Sequence, residues 1–239
     1  DATFMRMKDD HMRNGQLKPG YNLQIATENQ FVLHYDIYPN PTDTRTLLPF
    51  LETYPHELKM VVADAGYGSE ENLLTLDQRK IPHLIKYGLF DKEQKKKHKQ
   101  SARNLANWTY DEGCDTYTHP DGWDYHFESV KHSRTSTGFE QAIRVYKADY
   151  PDLAPQKGLY VNERYQALKQ LEKEKLLSEE GSRIFAQRKV DVEPVFGQIK
   201  ACLGYKRCNL RGKRQVKIDM GLVLMANNLK KYNKKMNQN

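Results

Sequence analysis

The chain has 239 residues, 38% hydrophobic and 29% charged, with a net charge of +7 and ten prolines. That length accommodates one large domain or two small ones, and no apolar run approaches the roughly 20 residues that span a bilayer. Three scattered cysteines, Cys114, Cys202 and Cys208, exclude a disulfide framework and point to a reducing cytosol. The first residue is Asp rather than Met, which suggests a fragment. The charge is uneven. From Gly181 to Asn239 there are fourteen basic residues against three acidic ones, so the rest of the chain is net acidic. A basic segment of this kind suits a polyanion such as DNA or RNA.

In chain order, residues 1–7 read as the end of a strand and 8–19 as a polar connection, with Asn14-Gly15 as a turn. Residues 21–27 alternate apolar and polar, and 31–38 form a second strand, which together predict a hairpin. Asp43 or Thr44 is placed to cap a helix reaching about Tyr54. Met60-Val-Val-Ala63 is short and wholly apolar, the signature of a buried central strand. Asp64 stands at its end. Ser69 then caps a helix with Glu70 and Glu71 in its first turn, and 82–87 reads as another strand. This alternation predicts an α/β sheet.

The pattern breaks after that. Residues 91–100 are a charged run, and 106–150 are rich in Tyr, Trp, Thr, His, Asp and Gly with short alternating stretches. They read as an inserted β-rich subdomain closing near 158–161. Its aromatics (Trp108, Tyr110, Tyr117, Trp123, Tyr125 and Phe127) are expected mainly in its core, with base stacking as the alternative. Residues 165–177 and 216–232 read as helices, with Val216, Met220, Val223, Leu224, Asn227 and Asn228 on the buried side of the second.

The stretch Arg188-Lys189-Val-Asp-Val-Glu193-Pro-Val-Phe-Gly-Gln-Ile-Lys200 reads as a helix. Val192, Val195, Phe196, Ile199 and Leu203 form an apolar stripe, and Lys189, Glu193, Gly197 and Lys200 share a neighbouring face. Pro194 predicts a kink or a helix start close to Glu193.

An acid at the C-terminal end of a central strand is a recurring place for function in α/β sheets, and Asp64 fits it. A second acid on a packing helix, Glu193, would share a divalent metal with it, and hard carboxylate oxygens suit Mg²⁺ or Mn²⁺. Two ions need a third carboxylate, for which Asp1 is the first-strand candidate; Asp9 and Asp10 come later, in a loop.

Asp64-Ala-Gly-Tyr-Gly-Ser69 and Val192-Glu-Pro-Val-Phe-Gly-Gln-Ile-Lys200 resemble the second and third acid motifs of bacterial insertion-sequence transposases of the DDE type. Glu193-x6-Lys200 matches the end of that branch's Tyr-x2-Arg-x3-Glu-x6-Lys signature. Upstream, Phe185 stands for the tyrosine, Arg188 is one residue too far from Glu193, and Lys189 has the family spacing. The resemblance implies a ribonuclease H-like mixed sheet flanked by helices, with a β-rich insertion before the last acid. On that basis 1–89 and 163–239 are expected to form the catalytic core, and 90–162 the insertion.

The resemblance implies metal-dependent hydrolysis of a phosphodiester at the element end, then transfer of the freed 3′-hydroxyl into target DNA. Asp1, Asp64 and Glu193 would be the catalytic, metal-holding acids, with two Mg²⁺ or Mn²⁺ ions. Arg188, Lys189, Lys200, Lys206, Arg207, Arg211 and Lys213 would contact DNA. A homodimer in the DNA complex and a bacterial cytoplasmic, nucleoid-associated location go with this reading, and no membrane does. Three alternatives stand beside it: a catalytically inactive remnant that only binds DNA, a nucleotide-binding turn at Asp64-Ala-Gly-Tyr-Gly68, and a zinc site from the cysteines and nearby histidines. The nucleotide turn lacks its third glycine, and no Cys-x2-Cys pair supports zinc.

Overall fold

The computed structural model describes residues 2–6 and 15–237. Asp1, Asp9, Asp10 and Asn14, named above, lie outside them. Strand β1 (Thr3–Arg6) pairs antiparallel with β2 (Leu17–Gly20). The polar connection therefore ends three residues sooner than the composition indicates. Pro19 is tolerated because β1 is the only partner of β2 among the described residues.

Strands β3 (Asn22–Glu28) and β4 (Phe31–Tyr38) form the predicted hairpin. Asn29 and Gln30 both take positive φ at its tip, the backbone that a two-residue turn between twisted strands requires. Leu23, Ile25, Val32 and Tyr35 of the hairpin join an apolar cluster, while Gln24 and Asp36 are buried polar residues. A 3₁₀ turn (Asp43–Arg45) leads into α1 (Leu47–Glu52). Neither Asp43 nor Thr44 caps it. The Thr46 hydroxyl instead donates to the Asp43 carbonyl, and the Asp43 carboxylate is drawn off by two side-chain amides of β3.

Strand β5 (Val61–Ala63) pairs parallel with β6 (His83–Ile85) through the crossover helix α2 (Glu70–Gln78). Leu73, Leu76, Val61, Ala63, Ile85 and Leu168 fill the core between them. Two short helices follow, α3 (Phe90–Glu93) and α4 (Lys96–Lys99). The β-rich stretch forms one antiparallel sheet of β7 (Thr109–Asp111), β8 (Thr116–Thr118), β9 (Asp124–Arg134), β10 (Glu140–Ala148) and β11 (Gly158–Val161). Its strands lie in the order β11-β10-β9-β8-β7. Trp108, Tyr125 and Tyr146 are buried in its core, Tyr117 and Trp123 pack against them, and Tyr110 and Phe127 remain exposed.

Helix α5 (Glu163–Leu177) runs into α6 (Glu179–Gly197) across Ser178, whose hydroxyl oxygen accepts from Gly181 N. A Cβ at Gly181 would lie 2.0 Å from the Lys175 carbonyl oxygen, so only glycine permits this joint. Helix α6 starts fourteen residues before Glu193 and continues through Pro194, so neither Glu193 nor the proline begins it. Proline removes the bond to the Val190 carbonyl, but Val190 is half exposed, so the loss falls on a part of the helix that water reaches. The break comes later, as a π turn over Gln198–Cys202. Helix α7 (Lys213–Met236) closes the chain, with Val216, Met220, Leu224 and Asn227 buried as the pattern predicts.

The described chain is thus mixed α/β. Outside the antiparallel sheet, its strands pair in three separate two-stranded sets, and only β5–β6 is parallel. Helix α6 crosses this region, with Val195 and Ile199 packed on the hairpin and α7.

Candidate active site

Asp64 follows the buried strand β5 directly and begins the 3₁₀ turn Ala65–Tyr67. Its carboxylate accepts the Gly66 N–H at 3.0 Å, which fixes the side chain over its own turn. The next residues are held just as firmly. A Cβ at Gly68 would lie 2.1 Å from the Lys86 carbonyl oxygen. The Tyr165 hydroxyl donates to the Gly68 carbonyl at 2.5 Å. Ser69 caps α2 by accepting from Asn72 N, as the sequence predicts. Asp64 therefore sits on a rigid support, although it is itself half-buried.

A second turn is tied to the first. The Thr44 hydroxyl donates to the Gly66 carbonyl at 3.0 Å, and the Asn72 amide donates to the carbonyls of both Thr44 and Tyr67. Asp43 Oδ1 accepts from Asn22 Nδ2 at 2.7 Å and from Gln24 Nε2 at 3.1 Å. Gln24 is 4% exposed and also accepts a short hydrogen bond from the Tyr67 hydroxyl. The other oxygen of Asp43 points towards the Asp64 turn. A methyl built on Gly66 would meet Asp43 Oδ2 on one side and Asp64 Oδ1 on the other.

The phenol of Tyr67 registers these charges. Burial raises its pKa most, the carboxylates of Asp43 and Asp64 raise it further, and the guanidinium of Arg188 opposes them. Arg188 thus reaches this cluster from α6. Its guanidinium lies 5.5 Å above the Phe185 ring, and its Nε is buried without a hydrogen-bond partner among the described residues. Phe185, in the tyrosine position of the signature, is buried with Tyr87 and Phe90 rather than presented to the surface. Two carboxylates and a phenol from two turns, that of Asp43 and that of Asp64 and Tyr67, therefore converge beside the end of β5, and the charge of Arg188 acts on the phenol from a third segment, α6. Such a set can hold a cation on its acidic side and meet an anion through the arginine.

The family model described as the transposase DDE domain matches residues 1–229. The chain belongs to that family. No curated protein and no solved structure was found to match it. Transposases of the DDE type act on DNA and generally use divalent metal ions. No helix among the described residues is long and apolar enough to cross a membrane.

The residues singled out in this transposase from its sequence fall into three groups. Asp64 adjoins Tyr67 in one turn, and the charge of Arg188 acts on that phenol from α6. Lys189 and Glu193 lie exposed on α6, and Lys200 is exposed within the π turn. A π turn holds more residues than an α turn, so Lys200 is rotated from the line that an unbroken helix through Glu193 would give it. Lys206, Arg207, Arg211 and Lys213 are exposed between the π turn and the start of α7, with Lys213 5.8 Å over the Tyr38 ring. Asp1 lies outside the described residues. Among those described, no three His, Cys, Asp or Glu side chains gather as a metal-holding group. All three cysteines are free and exposed.

Sequence reasoning missed Asn22, Gln24, Asp43 and Tyr67 as parts of the site. No local signal marks them: Asn22 and Gln24 alternate with Leu23 and Ile25 and so read as the solvent side of a half-buried strand.

Proposed function

We propose that the chain is the catalytic part of a DNA transposase, hydrolysing a phosphodiester at an element end and joining the freed 3′-hydroxyl to target DNA. The observation that carries this reading is Asp64, clamped at the end of a parallel strand beside Asp43 and Arg188 in a chain of the DDE family.

The donors fit a hard cation: carboxylate oxygens on rigid turns that come close to one another because Gly66 between the turns carries no side chain. Asp64, Glu193 and Asp1 are the residues that would hold Mg²⁺ or Mn²⁺, as two ions. Such ions, when bound, stabilise charge on the attacking and leaving oxygens of phosphodiester chemistry. The protein's own part is positioning. The Gly66 N–H orients the Asp64 carboxylate. Arg188, Lys189 and Lys200 meet phosphates near the scissile bond, and Lys206, Arg207, Arg211 and Lys213 extend the contact along the duplex.

In this reading the paired strands of 1–89 and the helices of 163–239 belong to one ribonuclease H-like core, with 90–162 as its insertion. The enzyme works as a homodimer on DNA in the bacterial nucleoid. A DNA-binding remnant without activity is the second reading, which the exposed basic residues Lys206, Arg207, Arg211 and Lys213 serve as well.

Mg²⁺-dependent nicking of an element-end duplex separates the two. Asp64→Asn and Glu193→Gln should each abolish nicking while DNA binding is retained. Wild-type nicking by either variant would remove that residue from the active site. Lys200→Ala should lower the slope of log affinity against log salt by about one.

A further inference from the structure

The charged run that follows β6 has no part in the site described so far. Between Lys86 and Arg103 stand seven basic residues and two acids. Lys92, Lys95, Lys96, Lys97, Lys99 and Arg103 are all exposed. The two acids are engaged: Asp91 accepts from Lys86 Nζ at 2.7 Å, and Glu93 accepts from the Tyr87 hydroxyl at 2.6 Å and lies 3.9 Å from Lys173. A face built only for solubility mixes signs at three- and four-residue spacing, because like charges there repel. Lys95, Lys96 and Lys99 stand at that spacing with no acid among them.

Other groups hold the segment in place. Phe90 of α3 is buried with Tyr87 and Phe185. The Asn107 amide donates to the carbonyls of Lys99 and Ser101, and the Trp108 indole to that of Ala102. The charges are thus carried on a fixed frame that does not need them. That frame starts at the candidate active site. Val61, Val62 and Ala63 pair with His83, Leu84 and Ile85, so Asp64 and Lys86 are the next residues on adjacent parallel strands, with backbones about 5 Å apart. Lys86 Nζ lies 4.8 Å from the centre of the Phe185 ring, and the Arg188 guanidinium lies over the same ring at 5.5 Å. Ten residues on from Phe185, about 15 Å along α6, Val195 shares a cluster with Tyr205, where the loop of Lys206, Arg207 and Arg211 begins. Arg188, and the Asp64 turn whose Tyr67 phenol feels its charge, therefore fall between two basic surfaces.

We propose that residues 86–103 form a second phosphate-binding surface, which grips the backbone of the DNA duplex on the side of the scissile bond away from residues 206–213. Duplex DNA carries one negative charge about every 1.7 Å of its axis, which suits a row of lysines without acids. Phosphate contacts ask for no base sequence, so they fix where the duplex lies and leave the reading of its ends to other groups. Such a grip presupposes that the chain acts on DNA.

Acetylation of the lysines of the purified chain, with and without a duplex of arbitrary sequence at low salt, tests it. DNA should protect Lys95, Lys96, Lys97 and Lys99 along with Lys200, Lys206 and Lys213. Lys95→Ala, Lys96→Ala, Lys97→Ala and Lys99→Ala together should lower the slope of log affinity against log salt by about three, at about 0.9 per phosphate contact. Thermal unfolding of that variant should not change, because all four side chains are exposed. Lys59→Ala, Lys80→Ala, Lys147→Ala and Lys157→Ala together remove the same charge from exposed sites elsewhere and should lower the slope by less than about one. Protection of Lys200, Lys206 and Lys213 without the lysines of 95–99, or equal slopes from the two quadruple variants, would overturn the second surface and leave the DNA reading standing. Protection of no lysine would remove both.

Discussion

Asp43 and Asp64 both lie close against Gly66, where a methyl group would lie 3.0 Å from Asp43 Oδ2 and 3.1 Å from Asp64 Oδ1. Two carboxylates are brought to one side of a turn from segments twenty-one residues apart. Gly66 does not take a positive φ, so its lack of a side chain serves space rather than backbone freedom. Gly66→Ala should therefore fold, losing about 1 kcal/mol or less in urea unfolding. It should push the two carboxylates apart and lower metal-dependent nicking at least about tenfold, a change of about 1.4 kcal/mol in barrier. Unchanged nicking would mean that the gap is not used.

Asp43 can be separated into two halves. Its Oδ1 serves Asn22 and Gln24, and Gln24 is 4% exposed. Asp43→Ala leaves a buried amide without that acceptor and should cost about 1–3 kcal/mol. Asp43→Asn retains an acceptor oxygen for the two amides, so its cost should be clearly smaller. Equal losses from the two variants in denaturant unfolding would show that the amide contacts are not what Asp43 contributes to stability.

Glu70 ties the antiparallel sheet to the turn that follows Asp64. It is 2% exposed and accepts from Gln141 at 2.7 Å, Asn162 at 2.6 Å and Arg164 at 2.6 Å. Glu70→Ala removes the shared acceptor of the half-buried Gln141 and Asn162 amides and of the exposed Arg164, and should destabilise by about 1–3 kcal/mol. Glu71, one residue on and less buried, bonds only through Thr137 on the exposed side. Glu71→Ala should cost about 1 kcal/mol at most. Comparable losses at 70 and 71 would contradict the assignment of the clamp to Glu70.

His83 and Glu172 predict how stability depends on pH. His83 Nε2 lies 3.2 Å from Glu172 Oε1, and both side chains are 2% exposed. Burial by itself would lower the His83 pKa, but hydrogen bonds to Glu172 and the Ile81 carbonyl outweigh it and the pKa is raised from 6.5. Burial by itself would raise the Glu172 pKa, but bonds from His83, the Ile85 N–H and Lys175 outweigh it and the pKa is lowered from 4.5. The histidine contribution is full below 6.5 and is lost as pH rises through the raised value. The glutamate contribution is full above 4.5 and is lost as pH falls through the lowered value. Their joint contribution should therefore be greatest between 4.5 and 6.5 and fall on both sides. Urea midpoints across pH should trace this shape in the wild type, and Glu172→Gln should flatten it. The same curve from both proteins would assign the dependence elsewhere.

Much of the chain was legible because it obeys local rules. The hairpin of β3 and β4 alternates, β5 is an unbroken apolar run, Ser69 is a regular cap, and α7 has one consistent buried stripe. The polar network was hidden for the opposite reason. Asn22, Gln24, Asp43 and Tyr67 meet only through the tertiary fold, and contacts at such separations leave no periodicity. Asp43 is also a residue type that turns and caps favour, so its local meaning masked its distant one. A helix start near Pro194 does not occur, because α6 already runs on from Glu179 and is anchored on either side of that stretch by Phe185 and Val195. Spacing alone could not choose between Arg188 and Lys189, whereas burial distinguishes them: Arg188 is drawn in over Phe185, and Lys189 stays at the surface.

The side chain of Asn228 donates to the Val32 carbonyl at 2.8 Å and accepts from the Val32 N–H at 2.9 Å. One amide thus occupies both backbone groups that β4 would otherwise offer to an incoming strand at that point. A two-stranded hairpin with an open rim is a template for growth by addition of further chains. Asn228 acts as a stopper against that growth, built from a helix rather than from another strand. Replacing it with an apolar residue of similar size would keep α7 helical yet leave the rim unsealed, and the cost would appear as filament or precipitate formation on storage rather than as a lost site.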